Sequence, residues 1–209
     1  MARPTLRPEE VEQFRQRLCE TALHRIARWG YGGVTLRGLA RDLGCSYATP
    51  YRYFRDKEAI FAAVRALAYQ HFGDALESAV ADAIDPEDRL RAMVTGYLHF
   101  AAAEPQAYRV MMELELPGPD RHPEYWAKER QTWEVWEAEI TRAVDAGVLE
   151  GDPRTIAHVF WAGVHGAVSL HVGGKLILGR TVEALGTEVT NALLAAYRPP
   201  ATPPLEKRP

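Results

Sequence analysis

A chain of 209 residues, 47% of them hydrophobic, is long enough for one large domain or two small ones with a buried core. Its net charge of −3 selects no partner, and its two cysteines, Cys19 and Cys45, exclude a disulfide scaffold and have no zinc-ligand spacing. No stretch reaches the roughly 18 uninterrupted apolar residues of a membrane span, and the opening MARPTLRPEE lacks the apolar segment of a secretory signal, so a cytoplasmic protein without membrane, metal or cofactor is expected.

Few runs alternate with period two, and Val, Ile and Thr do not cluster into strands, so the fold class is all-α. The first helix is predicted over Pro8 to Trp29, with Val11, Phe14, Leu18, Ala22 and Ile26 on one face. Gly30, Gly32 and Gly33 end it, and Thr35 can cap a second helix whose apolar positions are Leu36, Leu39, Ala40 and Leu43. Gly44 supplies the tight turn. A third, short helix then carries Tyr47, Thr49, Tyr51, Arg52 and Tyr53, which present hydroxyls, aromatic edges and a guanidinium with few aliphatic side chains. Such a surface suits a groove lined by phosphates and base edges better than a core. Its start has two readings. Ser46 can cap it, which leaves Pro50 in its fourth position without an N–H to donate, or Thr49 can cap it with Pro50 as the first helical residue.

Asp56 is expected to cap a fourth helix running to about Ala83, with Ile60, Phe61, Val64, Leu67, Ala68, Phe72 and Leu76 as its stripe. Asp85-Pro86 opens a fifth, in which Leu90, Val94, Tyr97, Leu98 and Ala101 face inward. The break at Glu104-Pro105 precedes a shorter sixth helix with Tyr108, Met111 and Met112, and Leu116 to Pro123 reads as a loop by its prolines. The seventh helix is predicted over Glu124 to Ala146. The eighth starts from Asp152-Pro153 and ends at Gly173-Gly174, and the ninth covers about Val182 to Tyr197. The tail RPPATPPLEKRP is expected to be disordered. Acidic residues such as Asp42 and Glu139 read as ordinary helix surface.

The segment Thr35, Leu39-Ala40, Gly44, Ser46, Tyr51, Tyr53-Phe54, Lys57-Glu58, Ile60-Phe61 resembles the head motif of the TetR (tetracycline-repressor-like) family of bacterial regulators. The resemblance implies a nine-helix fold, with a DNA-binding domain over 8–56, its helix-turn-helix at 35–54, a ligand-binding and dimerisation domain over 57–198, and a tail at 199–209. By match to the motif, Thr35, Ser46, Tyr51, Tyr53 and Lys57 fall where phosphate contacts are common. Tyr47, Ala48, Thr49 and Arg52 fall where base edges are read, and Arg37 is also placed among the DNA-binding residues. Cys45 and Pro50 depart from the motif, since small aliphatic and core aliphatic residues are commoner there, and the family register favours Ser46 as the cap. Charge distribution agrees with this division: residues 1–57 carry 11 Lys and Arg against 6 Asp and Glu, a head of +5, and the remainder carries 14 against 22, a body of −8.

In the eighth helix, Trp161 and His165 lie at i and i+4 within Trp-x-x-x-His-Gly, which is similar to the signature of one subgroup of the family's carboxy-terminal domains. Two readings of the body follow. Tyr97, Phe100, Tyr108, Met111, Trp133, Trp136, Trp161 and His165 can line a pocket for a small apolar or aromatic effector, or they can be core. His165 reads equally as a ligand hydrogen-bonder or as a buried histidine satisfied by a neighbour. Ala157, Ala162, Gly163, Gly166 and Ala167, with Leu185, Val189, Leu193 and Leu194, can form a homodimer seam through the last two helices, as the resemblance implies, or pack internally. Such a dimer meets a pseudo-palindromic double-stranded DNA operator. The expectation is a ligand-responsive transcriptional repressor and not an enzyme. The alternatives are a DNA-binding accessory protein without an effector and a helical enzyme with His165 as general base. The last has no nucleophile, paired carboxylates or nucleotide loop beside that histidine. Cys45 as a redox sensor has no partner thiol within sequence reach.

Overall fold

The computed structural model describes residues 7–113 and 121–200. Most of the loop expected from Leu116, and the tail from 201 onward expected to be disordered, lie outside the described residues. Among those residues there are eight α-helices and no strand: α1 (Pro8–Trp29), α2 (Leu36–Asp42), α3 (Lys57–Val80), α4 (Pro86–Ala103), α5 (Pro105–Glu113), α6 (Pro123–Asp145), α7 (Pro153–Val172) and α8 (Val182–Ala196). The all-α expectation therefore holds, and the helix boundaries fall within a few residues of those read from the sequence.

The count differs at one place. The third helix expected after Ser46 is not an α-helix but a turn followed by the 3-10 segment Pro50–Arg52. Pro50 is the physical reason. An α-helix capped at Ser46 needs the N–H of residue 50 to reach the Ser46 carbonyl, and proline has none. The Thr49 N–H takes that carbonyl instead at 2.9 Å, and the Pro50 carbonyl then accepts from the N–H groups of Tyr53 and Phe54, both at 3.0 Å. The reading with Pro50 in the first position is the one observed. Thr49 does not cap through its side chain, which pairs with the Ser46 hydroxyl at 2.9 Å.

Contacts group the described residues into two compact units, 7–73 with 103–113 and 121–132, and 74–102 with 133–200. The first unit is built on the stripe of α1, where Phe14, Leu18, Ala22 and Ile26 are buried at four-residue spacing. Leu39 of α2, Phe54, and Ile60, Val64 and Ala68 of α3 complete this core with Tyr108, Val110 and Met111 of α5. Asp56 caps α3, its carboxylate accepting from the Ala59 N–H at 2.8 Å.

The second unit pairs α7 with α8. Gly163 permits the approach, since a Cβ there would stand 2.8 Å from Val189 Cγ1. Gly186 likewise fits against Leu98 of α4. The caps are those expected: Asp85 accepts from the N–H groups of Glu87 and Asp88 at the head of α4, and Asp152 accepts from the Thr155 N–H at 2.9 Å at the head of α7. Leu90, Met93, Tyr97, Ile140, Ile156, Phe160 and Val164 are fully buried between these helices. Each such side chain stabilises the unit by about 1.5–3 kcal/mol relative to exposure.

Glu139 does not behave as the ordinary surface residue expected. It is 6% exposed and takes a two-point bond from Arg89, Nε to Oε2 and Nη2 to Oε1, each at 2.7 Å. The third arm of that guanidinium donates to the carbonyls of Val80 and Ala83 at 2.8 Å each, closing the carboxyl end of α3.

Candidate nucleic-acid interface

The head begins with a clamp. Arg25 of α1 is buried, donates from Nε to the Gly33 carbonyl at 3.1 Å, and reaches Asp42 at the end of α2 at 2.6 Å. The Arg25 guanidinium beside Asp42 holds that carboxyl below the usual range. Asp42 is thus a tie between α1 and α2, where the sequence suggested plain surface. The signal that could have found it is register: Arg25 follows Leu18 by seven residues and Ala22 by three, a cation on the apolar face that needs a carboxylate or carbonyl partner. At the start of α2 the Thr35 hydroxyl accepts from the Gly38 N–H at 3.0 Å, as its capping role requires. Gly38 leaves room for the clamp, because a Cβ would stand 2.6 Å from the Arg25 guanidinium carbon.

Beyond α2 the chain presents a row of exposed polar and aromatic groups. Tyr47 and Tyr51 meet edge to face at 5.7 Å with their hydroxyls 3.2 Å apart. The hydrogen bond with the Tyr47 hydroxyl pushes the Tyr51 phenol up. Arg37 lies over the Tyr47 ring at 5.7 Å. Arg37, Tyr47 and Tyr51, assigned separately in the sequence, are therefore one contiguous patch. Thr35, Ser46, Ala48, Arg52 and Lys57 are also exposed, while Thr49 and Tyr53 are half-buried. Tyr53 stacks on Phe14 of α1 at 4.1 Å, which anchors the turn to the first helix and leaves chiefly its hydroxyl for a ligand. Lys57 stands over Phe61 at 5.1 Å. Cys45 is half-buried in the turn after α2, whereas Cys19 is buried in α1 with its thiol pushed up to about 12 by desolvation, which leaves it unreactive.

The residues expected to hold an effector divide between the two units. Tyr108 and Met111 are buried in the first. In the second, Tyr97, Trp133, Trp136, Trp161 and His165 form a connected aromatic series. Tyr97 meets Trp136 edge-on at 5.8 Å, and its hydroxyl lies 3.4 Å from His165 Nδ1. His165 sits 5.5 Å from the Trp161 ring, and Trp161 meets Trp133 edge-on at 6.2 Å. Trp136 donates its indole N–H to the Ala157 carbonyl, and Tyr97, Phe100 and Trp136 are core by burial. Trp133, Trp161 and His165 are half-buried. Burial pushes the His165 imidazole down, favouring its neutral form, and the Ser169 hydroxyl lies 3.1 Å from Nε2. His158, which the sequence reading passed over, joins this series at 4.3 Å from Trp133. It follows Arg154 by four residues and precedes Trp161 by three, so helical spacing alone would have placed it there. No described helix is long and apolar enough to cross a membrane.

Residues 18–64 match the family model described as bacterial regulatory proteins, tetR family. Residues 90–197, just over half of the chain, match the model described as tetracyclin repressor-like, C-terminal domain. The HTH-type transcriptional regulator Rv1816 of Mycobacterium tuberculosis is 23% identical over 199 residues, covering 81% of this chain and 85% of that protein. Among solved structures, a protein with unknown function from Rhodococcus sp. RHA1 superposes with a TM-score of 0.80 at 28% identity, over 88% of this chain and 95% of that one. The fatty acid degradation regulator FadR from Bacillus halodurans shares the fold, with a TM-score of 0.71 at 20% identity over 91% and 97%. With one model matching its head and another matching its body, the chain belongs to the TetR family of helix-turn-helix transcriptional regulators.

Proposed function

We propose that the protein binds a pseudo-palindromic operator as a homodimer, represses transcription from it, and is released by a small apolar or aromatic molecule. The observation that carries the DNA-binding part is the contiguous exposed patch of Arg37, Tyr47 and Tyr51, flanked by Arg52 and Lys57 on a head of net charge +5. In this reading Thr35, Ser46, Tyr51, Tyr53 and Lys57 hold phosphates, and Tyr47, Ala48, Thr49 and Arg52 read bases. Residues 8–56 serve as the DNA-binding domain and 57–198 as the ligand-binding and dimerisation domain. Ala162 is exposed on α7, and open space stands over Gly166, which supports a seam between two copies along α7 and α8. The half-buried rings of Trp133, Trp161 and His165 offer the effector an aromatic face, with Tyr97, Phe100 and Trp136 behind it, and Tyr108 and Met111 remain candidates from the first unit. A ligand releases DNA only if it prefers one arrangement of the heads, since one indifferent to both shifts nothing. The protein acts in the cytoplasm and by binding alone, with no catalytic step.

Two substitutions test the division of labour. Lys57→Ala is expected to weaken binding to all duplexes alike and to flatten the slope of log affinity against log salt by about one unit. Arg52→Ala is expected to change which sequence is preferred, by about 1–3 kcal/mol at the base it reads. Equal weakening on every duplex by Arg52→Ala would remove it from the base readers. The operator itself comes from selection out of random duplexes, repeated with a metabolite library to find the molecule that releases them. Failure to enrich any sequence would overturn the proposal.

A further inference from the structure

At the end of α1 stands a group that the head motif does not include. Trp29 is 50% exposed, large and apolar on the most basic part of the chain. Its ring is covered by two guanidinium groups, Arg25 at 4.5 Å and Arg28 at 5.0 Å. Their situations differ. Arg25 is buried and committed to Asp42 and the Gly33 carbonyl. Arg28 is exposed and makes no ion pair with any carboxylate among the described residues.

The position of this pair is fixed by the clamp. A Cβ at Gly33 would overlap the Trp29 side chain, so the indole is seated against the backbone that leads into α2. The guanidinium beneath the indole is the one that a Cβ at Gly38 would touch, and the same Cβ would stand 3.0 Å from the Thr35 hydroxyl. Trp29 therefore adjoins the first turn of α2, which carries Thr35 and Arg37. The construction also repeats one already seen in the patch, where Arg37 lies over the exposed ring of Tyr47. A guanidinium held over an aromatic face loses less further freedom when it donates to a phosphate. A cation at a helix carboxyl end is ordinary in itself. That role accounts for Arg28 but leaves the exposed indole unexplained.

We infer that Arg28, held on Trp29, is a further phosphate contact of the head, extending its footprint on duplex DNA beyond the residues of the helix-turn-helix motif. The inference rests on the DNA-binding reading above. Arg28 donates to the backbone and carries no sequence information, while Trp29 positions it.

The test is fluorescence anisotropy of the full chain on a mixed-sequence duplex across a salt series, comparing wild type with Arg28→Gln, Trp29→Ala, Lys57→Ala and Arg180→Ala. Arg180 is exposed in the connection between α7 and α8 and serves as the charge control. Each phosphate contact contributes about 0.9 to the log–log slope, so Arg28→Gln is expected to change the affinity ratio between about 50 and 200 mM salt by about 3.5-fold. Arg180→Ala is expected to leave that ratio unchanged. Trp29→Ala, with Arg28 intact, is expected to weaken binding while keeping most of the slope, and the unfolding curve of each variant separates this from loss of fold. If Lys57→Ala flattens the slope and Arg28→Gln does not, the added contact is wrong and the DNA-binding reading stands. If neither variant changes the slope, both fall.

Discussion

Replacing Glu139 by alanine is expected to lower the stability of the second unit by about 3 kcal/mol, read as a shift of the urea or thermal midpoint. The size follows from what is left behind. Arg89 keeps its bonds to the Val80 and Ala83 carbonyls but loses the carboxylate that neutralised it, in surroundings where Glu139 is 6% exposed. A half-buried guanidinium without its counter-charge costs more than the lost hydrogen bonds, and Arg142, 3.4 Å from Glu139, is a second cation that loses the same carboxylate and cannot replace it. The same pair sets an acid dependence. Arg89 holds the Glu139 carboxyl below the usual glutamate range, so this contribution is fully present above the unfolded pKa of about 4.3 and is lost as pH falls through the lowered native value. Glu139→Gln should therefore be less stable than wild type at neutral pH and lose less of its remaining stability on acidification. A Glu139→Ala melting curve that overlays the wild type would show that the pair contributes no net stability.

Arg25→Ala is expected to act on the other unit, on folding and on function together. The substitution removes the bond to the Gly33 carbonyl, the ion pair to Asp42 and the support beneath Trp29 together. Asp42 is about one-third exposed at its side chain and can rehydrate, so the stability cost is smaller than for Glu139, about 2 kcal/mol. DNA binding depends on the orientation of α2 and the turn after it, and a loss of tenfold or more in affinity, about 1.4 kcal/mol, is expected beyond what unfolding explains. Arg25→Lys keeps the charge but not the fork that reaches two acceptors, and should recover only part of both effects. Full DNA affinity in a folded Arg25→Ala protein would show that the clamp does not position the reading surface.

The sequence carried the fold because its apolar stripes, its glycines and its Asp-Pro starts agree along most of the chain. The four-residue spacing from Phe14 to Ile26 gave α1, and Asp85-Pro86 and Asp152-Pro153 gave the starts of α4 and α7 with their caps. Local rules competed at one place, the start of the recognition segment. There the family register pointed to Ser46 and the chemistry of Pro50 pointed elsewhere, and the missing N–H decided it. What stayed hidden was pairing at long range. Nothing local marks Asp42 or Glu139 as different from other helical acids, because their partners lie 17 and 50 residues away and only packing brings them together. The aromatic series of the second unit was legible as a set of residue types, but which rings are core and which are reachable depended on how α4, α6 and α7 meet.

The contrast between the two thiols has a practical side. Burial leaves Cys19 inert toward alkylating reagents at neutral pH, whereas Cys45 is half-buried in the turn that precedes the reading surface. A thiol-reactive fluorophore added to the unaltered chain therefore goes to Cys45. The dye then sits a few residues from Tyr47 and Arg52, where its emission is expected to change when a duplex binds the surface proposed above. The protein comes with its own attachment point for watching operator exchange in real time, with no residue substituted.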